Sequence, residues 1–194
     1  LEESNRKLEE SNQELKRKSD KRDEEFKELQ IKMLFGAAEE GHTCAVGRLL
    51  QHGVDVNAVS KSTGASSLFY ASNKGHVGVV EMLLSKGADA NLCRTNAAGW
   101  SPLITAANKG HGEVVQKLLE GGAEVNAVSK KEGESSLYFA SEKGHVGVVE
   151  MLLSKGADVN LCQTSAAGWS PLITAANKGH GEVVQKLLEG GAEV

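Results

Sequence analysis

A repeat of about 34 residues begins near residue 33 and limits this chain to a small set of architectures. A Leu-Leu pair recurs five times, with successive steps of 34, 35, 34 and 35 residues. The pairs are Leu49-Leu50, Leu83-Leu84, Leu118-Leu119, Leu152-Leu153 and Leu187-Leu188. A Gly-His pair recurs in the same phase, from Gly41-His42 to Gly179-His180. Such a period is typical of stacked repeat proteins, in which each unit packs only against its neighbours.

The repeats are themselves duplicated in pairs. Residues 57–125 and 126–194 align without a gap and differ at nine of 69 positions. Five of the differences fall in two loops: Ser62/Lys131, Thr63/Glu132, Ala65/Glu134, Arg94/Gln163 and Asn96/Ser165. The duplication therefore preserved the predicted scaffold and changed mainly its loops.

Composition excludes several classes of protein. Only 4% of the residues are aromatic while 40% are hydrophobic, so the core must be aliphatic. No apolar run approaches the 18 or so residues that a membrane span needs. The net charge of −4 argues against a general nucleic-acid binder. We therefore expect a partner that is neither a membrane nor a nucleic acid.

The cysteines indicate a reducing compartment. There are three, Cys44, Cys93 and Cys162, and their odd number and wide spacing fit neither a disulfide framework nor a zinc site. The expected location is the cytoplasm or the nucleus. Cys44 falls in a predicted helix, where we expect it to be buried.

Residues 1–32 precede the repeats and differ from them in composition. They contain 19 charged residues and no Gly or Pro, which predicts one long helix. Leucines share a seven-residue spacing at Leu1, Leu8, Leu15 and Leu29. With leucine at position d of the heptad, position a holds Asn5, Asn12, Ser19, Phe26 and Met33.

The polar residues at position a leave three interpretations of this helix open. It forms a weak parallel coiled coil and hence a homodimer, or it is a single solvated helix. In the simplest alternative, Phe26, Leu29 and Met33 only pack the helix end onto the repeats. In each case we expect residues 1–32 to continue into the array as its N-terminal cap. At the other end, no polar cap precedes Val194, which leaves open that further repeats follow.

One repeat shows the local pattern. Ser101 is a good helix N-cap and Pro102 a good first helical residue, and Gly110 ends the predicted helix. A second short helix follows over residues 113–119, and Gly121-Gly122 stops it. An extended stretch and a turn then lead to the next repeat.

This pattern resembles the ankyrin repeat, whose motif is Gly-x-Thr-Pro-Leu-His-x-Ala-Ala-x-x-Gly-His, then a Val-Val…Leu-Leu helix and Gly-Ala-Asp-Val-Asn. Residues 156–160 match the last element verbatim. The Thr-Pro-Leu-His element departs, and reads Ser-Pro-Leu-Ile, Ser-Ser-Leu-Phe or Ser-Ser-Leu-Tyr. The loops are one or two residues longer than the family norm, which implies extended finger tips.

The resemblance implies an all-α solenoid of stacked helix pairs with finger loops, preceded by the long helix. The array spans residues 33–194, with repeats at about 33–63, 64–98, 99–132, 133–167 and 168–194.

No motif for catalysis is found in the sequence. Five of the six histidines occur one per repeat, and layers roughly 8–10 Å apart cannot bring them to the roughly 2.0–2.1 Å that zinc requires. The sixth, His52, is expected to be exposed. Phosphate-binding, dinucleotide-binding and nucleophile-elbow motifs are absent from the sequence. We therefore predict no catalytic residue, metal site or cofactor.

A solenoid offers a concave surface lined by its fingers and first helices. The resemblance implies three variable positions per repeat: the finger tip, the residue after its Gly, and the pair before Gly-His. The second position holds Ala65, Trp100, Glu134 and Trp169. Trp is the residue type most enriched at binding hot spots, so Trp100 and Trp169 are candidates for partner contacts. Alternatively, they brace the lengthened fingers.

The third position carries a row of lysines, one per repeat. The pairs are Asn73-Lys74, Asn108-Lys109, Glu142-Lys143 and Asn177-Lys178. Arg94, Lys130 and Lys131 add positive charge at the tips. On an acidic protein this row favours an acidic protein or peptide partner, and the alternative is a solvated face retained by duplication. The resemblance also implies hydroxylation of the asparagines at Asn57, Asn91, Asn126 and Asn160.

These features predict a non-catalytic scaffold that binds a protein or peptide through the concave face and fingers, with the N-terminal helix for dimerisation or spacing. Two alternatives remain at this stage. One is a regulatory part of a larger signalling protein or enzyme. The other is an engineered binder or fusion, against which the departures from Thr-Pro-Leu-His and the retained cysteines speak.

Overall fold

A computed structural model describes residues 2–95, 98–164 and 168–194, without the side chains of residues 2, 4, 5 and 7–10. The predicted heptad residues Leu1, Leu8 and Asn5, the loop residues Asn96 and Ser165, and the repeat boundary at 167 thus lie outside the described backbone or side chains.

Ten helices form in the described residues. They are α1 (Glu2–Glu39), α2 (Thr43–Gln51), α3 (Ser67–Lys74), α4 (Val77–Ser85), α5 (Pro102–Lys109), α6 (Gly112–Glu120), α7 (Ser136–Lys143), α8 (Val146–Ser154), α9 (Pro171–Lys178) and α10 (Gly181–Glu189). The odd-numbered helices pack in sequence against one another, and the even-numbered helices form a second layer behind them. The all-α solenoid predicted from the sequence is confirmed, and the end of α1 serves as the first helix of the first repeat.

Serine caps begin the inner helices. The hydroxyls of Ser66, Ser101, Ser135 and Ser170 each accept a hydrogen bond from the backbone N–H three residues on, at 3.1–3.2 Å. Pro102 and Pro171 occupy the first helical position, where proline costs no hydrogen bond. The departure from Thr-Pro to Ser-Pro or Ser-Ser therefore leaves the cap intact.

The core is one aliphatic stack that runs through the array. Leucines at matching positions of the outer helices, Leu83, Leu118, Leu152 and Leu187, are completely buried. In α2 the inward position belongs to Val46, so Cys44 faces outward and is exposed. The prediction that Cys44 is buried is wrong for that reason. His52 is exposed, as predicted.

The end of α1 closes the stack through Ile31, Leu34, Phe35, Ala37 and Ala38. Phe35 lies with its ring centroid 5.7 Å from that of Tyr70 in α3.

The other apolar stripe of α1 stays largely exposed. Phe26, Leu29 and Met33 are 60%, 54% and 54% exposed. The interpretation that they pack onto the array is therefore wrong, because α1 turns a different face to the repeats.

Histidines join successive repeats. The Nε2 atoms of His76, His111, His145 and His180 donate to the carbonyl oxygens of Glu39, Asn73, Asn108 and Glu142 in the preceding repeat, at 2.8–3.3 Å. Each imidazole also lies against the glycine that ends the preceding inner helix. A Cβ at Gly110, for example, would lie 2.7 Å from the ring of His145. These histidines are thus links between layers.

The duplicated chain offers a matched test of this link. Gly110 and Gly179 have φ values of 75° and 76°, so alanine at either position costs about 1–2 kcal/mol of backbone strain. Only at Gly110 would the new methyl group meet a histidine ring, since nothing lies within 4 Å of a Cβ at Gly179. We expect Gly110→Ala to lower the free energy of unfolding by about 1–3 kcal/mol more than Gly179→Ala in urea titrations followed by circular dichroism. Equal losses would show that the imidazole does not hold this position.

Candidate partner-binding surface

The predicted row of lysines is present along the array. Lys74, Lys109, Lys143 and Lys178 are the last residues of α3, α5, α7 and α9, and all four are exposed. Each stands directly before the glycine that ends its helix, so the same local signal places all four side chains. Of the residues paired with them, Asn73, Asn108 and Glu142 are half-buried and Asn177 is exposed.

Acidic neighbours neutralise part of this row. The Nζ of Lys74 lies 3.3 Å from Glu39, and Lys143 and Lys178 lie 3.1 Å and 3.9 Å from the two carboxylate oxygens of Glu142. No ion pair involves Lys109 among the described residues, because the matching position of the preceding repeat is Asn73. The row is therefore most positive at its centre.

The cations at the finger tips also differ from one another. Arg94 turns inward: its Nε donates to the Thr63 carbonyl at 3.3 Å, and its guanidinium lies 5.0 Å from the centroid of the Phe69 ring. Lys131 pairs with Glu132 at 3.1 Å. Lys130 is exposed, and its aliphatic stem covers Gly99 so closely that a Cβ there would not fit.

Both tryptophans, Trp100 and Trp169, are half-buried. Trp100 packs on Phe139 of the next inner helix, with ring centroids 4.7 Å apart. Ile104, which is completely buried, and Tyr138 complete this cluster, and Trp169 packs against it too. The geometry matches the bracing alternative, because the following repeat places an aromatic ring beside Trp100.

The other two residues that directly follow a finger glycine, Ala65 and Glu134, also face inward. Ala65 is completely buried, and Glu134 is half-buried. Ser129 Oγ donates to Glu134 Oε2 at 2.9 Å, and the Glu134 amide donates back to Ser129 Oγ at 3.1 Å. Burial raises the pKa of the Glu134 carboxyl, although the bond from Ser129 opposes this shift. The Glu134 side chain therefore stabilises the finger loop to which it belongs.

The four asparagines form a ladder between repeats. Asn57 Nδ2 donates to Gly87 O at 3.3 Å, and Asn57 Oδ1 accepts from the Asp89 amide at 2.8 Å. Asn91 and Asn126 repeat both bonds, and Asn160 Oδ1 accepts from the Glu193 amide at 2.9 Å. Each side chain thus joins two layers, and its hydroxylation stays a prediction.

The described residues contain no group of three or more His, Cys, Asp or Glu side chains placed to hold a metal ion. Cys93 Sγ contacts the Asn91 carbonyl at 3.4 Å, and burial raises the pKa of its thiol, which disfavours the reactive thiolate.

In the part of the chain that the structure describes, no helix is long and apolar enough to cross a membrane.

Sequence reasoning missed one feature of this surface. A groove of about 320 Å³ opens between α1 and the first finger, residues 57–66. It is lined by Glu28, Ile31, Lys32, Phe35, Val59, Ser60, Lys61 and Ser62. The signal was present in the sequence, because the first repeat has no finger of its own and leaves the next finger without a neighbour on that side.

Comparison with known proteins agrees with this architecture. A family model described as ankyrin repeats (3 copies) matches residues 13–93, 34–129, 90–163 and 128–194. A search of curated proteins found no match. Ankyrin repeats generally mediate protein–protein interaction, and the family is typically non-catalytic. Because the matches extend over residues 13–194, the chain belongs to the ankyrin-repeat family.

Proposed function

We propose that this array is a non-catalytic scaffold that binds an acidic protein or peptide through its concave face and fingers. The observation that carries the proposal is the lysine row at the ends of α3, α5, α7 and α9, above all Lys109, which has no ion pair among the described residues. The protein as a whole is acidic, so a local excess of positive charge favours a partner of opposite sign.

The geometry supports contact at the centre of the row. Lys109 and Lys143 lie on consecutive inner helices, and among the described residues Lys143 pairs with Glu142 of its own helix, a carboxylate that Lys178 shares. Lys130 adds an exposed ammonium at the finger between them. Trp100 is half-buried and its ring packs on Phe139, so the part that stays accessible would serve as a rigid anchor.

Capture of partners from a cell lysate, followed by mass spectrometry, tests this proposal. We compare the wild type with Lys109→Ala/Lys143→Ala and with a control, Lys86→Ala/Lys155→Ala. The control removes the same charge from exposed lysines at the ends of α4 and α8, in the other layer. A Trp100→Ala variant, first checked for a folded array, tests the anchor.

The expected result is a partner lost or reduced in the inner-helix variant, retained by the control, and released by salt, since exposed charge pairs are screened. Retention of every partner by Lys109→Ala/Lys143→Ala would place binding elsewhere. Equal loss in both variants would indicate non-specific attraction to positive charge. A partner that survives both lysine variants and is lost only with Trp100→Ala would show contact at the anchor without the acidic recognition proposed.

For the N-terminal helix we propose pairing with a second copy. Leu15, Phe26, Leu29 and Met33 occupy a and d positions of one heptad register and are 54–62% exposed, so the apolar part of the seam is free. The polar residues Asn12 and Ser19 occupy position a further toward the N-terminus, which makes the pairing weak.

Light scattering during size-exclusion chromatography measures this pairing. We expect the wild type to gain mass toward twice 20.5 kDa as its concentration rises, and Phe26→Ser/Met33→Ser to remain at 20.5 kDa. Both residues are exposed, so the variant should keep the thermal stability of the monomer. A constant monomer mass for the wild type, up to hundreds of micromolar, would leave the helix as a spacer.

The three cysteines are free in the structure, which supports location in a reducing compartment, the cytoplasm or the nucleus.

A further inference from the structure

The groove between α1 and the first finger has a filled counterpart within the same molecule. Because residues 57–125 and 126–194 are duplicates, and the 69-residue offset also aligns Leu34 with Leu103 and Gly41-His42 with Gly110-His111, each lining residue has an equivalent. Ile31, Phe35, Val59 and Lys61 correspond to Trp100, Ile104, Val128 and Lys130.

The interior counterpart shows what the groove lacks. There the preceding finger lies beside the hairpin: the Lys130 amide donates to Ala98 O at 3.1 Å, and the Lys130 stem covers Gly99. The Trp100 indole then fills the space beside Phe139. At the first finger an isoleucine replaces the indole, and no finger precedes it.

The edge of the first finger is open as a result. Within the part of the chain that the structure describes, the Lys61 amide has no hydrogen-bond partner, whereas its equivalent at Lys130 does. The Lys61 side chain is 83% exposed, and the residue that aligns with Gly99 at this end of the array is Gln30 of α1. An unpaired amide beside an apolar groove is the arrangement to which an extended peptide adds.

The rim of the groove carries one excess positive charge. Lys61 and Lys32 both reach the Glu28 carboxylate, at 3.1 Å and 3.3 Å, so two ammonium groups share a single carboxylate. Their hydrogen bonds lower the pKa of Glu28, which stays ionised at neutral pH. A second carboxylate, supplied by an occupant, would balance this rim.

We propose that the groove binds an extended peptide that carries a small residue followed by an aromatic one, with an acidic side chain near the rim. The small residue lies under the Lys61 stem, the aromatic ring enters the space lined by Ile31, Phe35 and Val59, and a peptide carbonyl accepts from the Lys61 amide. This deepens the proposed scaffold function and rests on it, because it assigns a second peptide site at the N-terminal end of the array.

The probe for this site is a peptide copied from the protein's own sequence. An acetylated and amidated peptide with the sequence of residues 95–101, Thr-Asn-Ala-Ala-Gly-Trp-Ser, is titrated into isotope-labelled protein and followed by amide chemical shifts. A second peptide carries Glu in place of its first residue, and a third carries Ser in place of Trp. We expect shifts concentrated at the amides of Ile31, Phe35, Val59 and Lys61, about two- to fivefold tighter binding of the Glu peptide, and at least a tenfold loss with the Ser peptide.

Substitutions at two equivalent valines distinguish binding in the groove from binding elsewhere on the protein. Val59 and Val128 are 39% and 41% exposed at equivalent positions of the two hairpins, so Val59→Lys and Val128→Lys disturb folding alike, but only the first blocks the groove. Ile31→Trp should fill the groove as Trp100 fills its counterpart, abolishing peptide binding in a protein that remains folded. No shifts at these residues with millimolar peptide, or equal affinity for Val59→Lys and wild type, would overturn the proposal.

The experiments distinguish failure of the site in the groove from failure of the site at the lysine row. Loss of lysate partners from Lys109→Ala/Lys143→Ala with no peptide binding at the groove would refute this second site alone. Peptide binding at the groove with every lysate partner retained by the lysine variant would refute the site at the lysine row alone. Shifts spread along α1 that grow with protein concentration and not with peptide would indicate a second copy in the groove, and would refute the peptide.

Discussion

Each repeat of this protein is held in its folded form by its contacts with the repeats beside it. Helices of eight or nine residues are too short to persist alone in water, so each pair is stable only because its neighbours bury its apolar face. Ile104 is completely buried by the repeat that follows it, whereas its duplicate Ile173, in the last repeat, is 50% exposed. The same sequence thus has a different environment wherever a neighbour is missing.

Because the repeats stabilise one another, many of the polar side chains serve to hold the scaffold together. The histidines, the capping serines and the ladder asparagines all satisfy backbone groups across or within repeats. We propose that recognition uses the positions that neighbouring repeats occupy least. These are Lys109, which has no ion pair among the described residues, and the groove beside the first finger, which no finger precedes.

Much of the fold could be predicted from the sequence because its signals are local and recur five times. Serine caps, terminal glycines and the Leu-Leu phase each fix a short element, and the period fixes how the elements stack. The contacts of single side chains could not be predicted, because they depend on which neighbour lies beside them. Cys44 faces outward because Val46 faces inward, Trp100 is covered because Phe139 lies on the next helix, and Lys74 is paired because Glu39 lies on the previous one.

Hydrogen exchange of the backbone amides, measured by mass spectrometry with and without a captured partner, distinguishes the two helix layers as the site of recognition. We expect slower exchange in the presence of partner at the fingers, residues 57–66 and 126–135, and in the last turns of α3, α5 and α7, with little change in α4, α6 and α8. Slower exchange confined to α4, α6 and α8 would place recognition on the opposite layer and contradict binding through the inner helices and fingers.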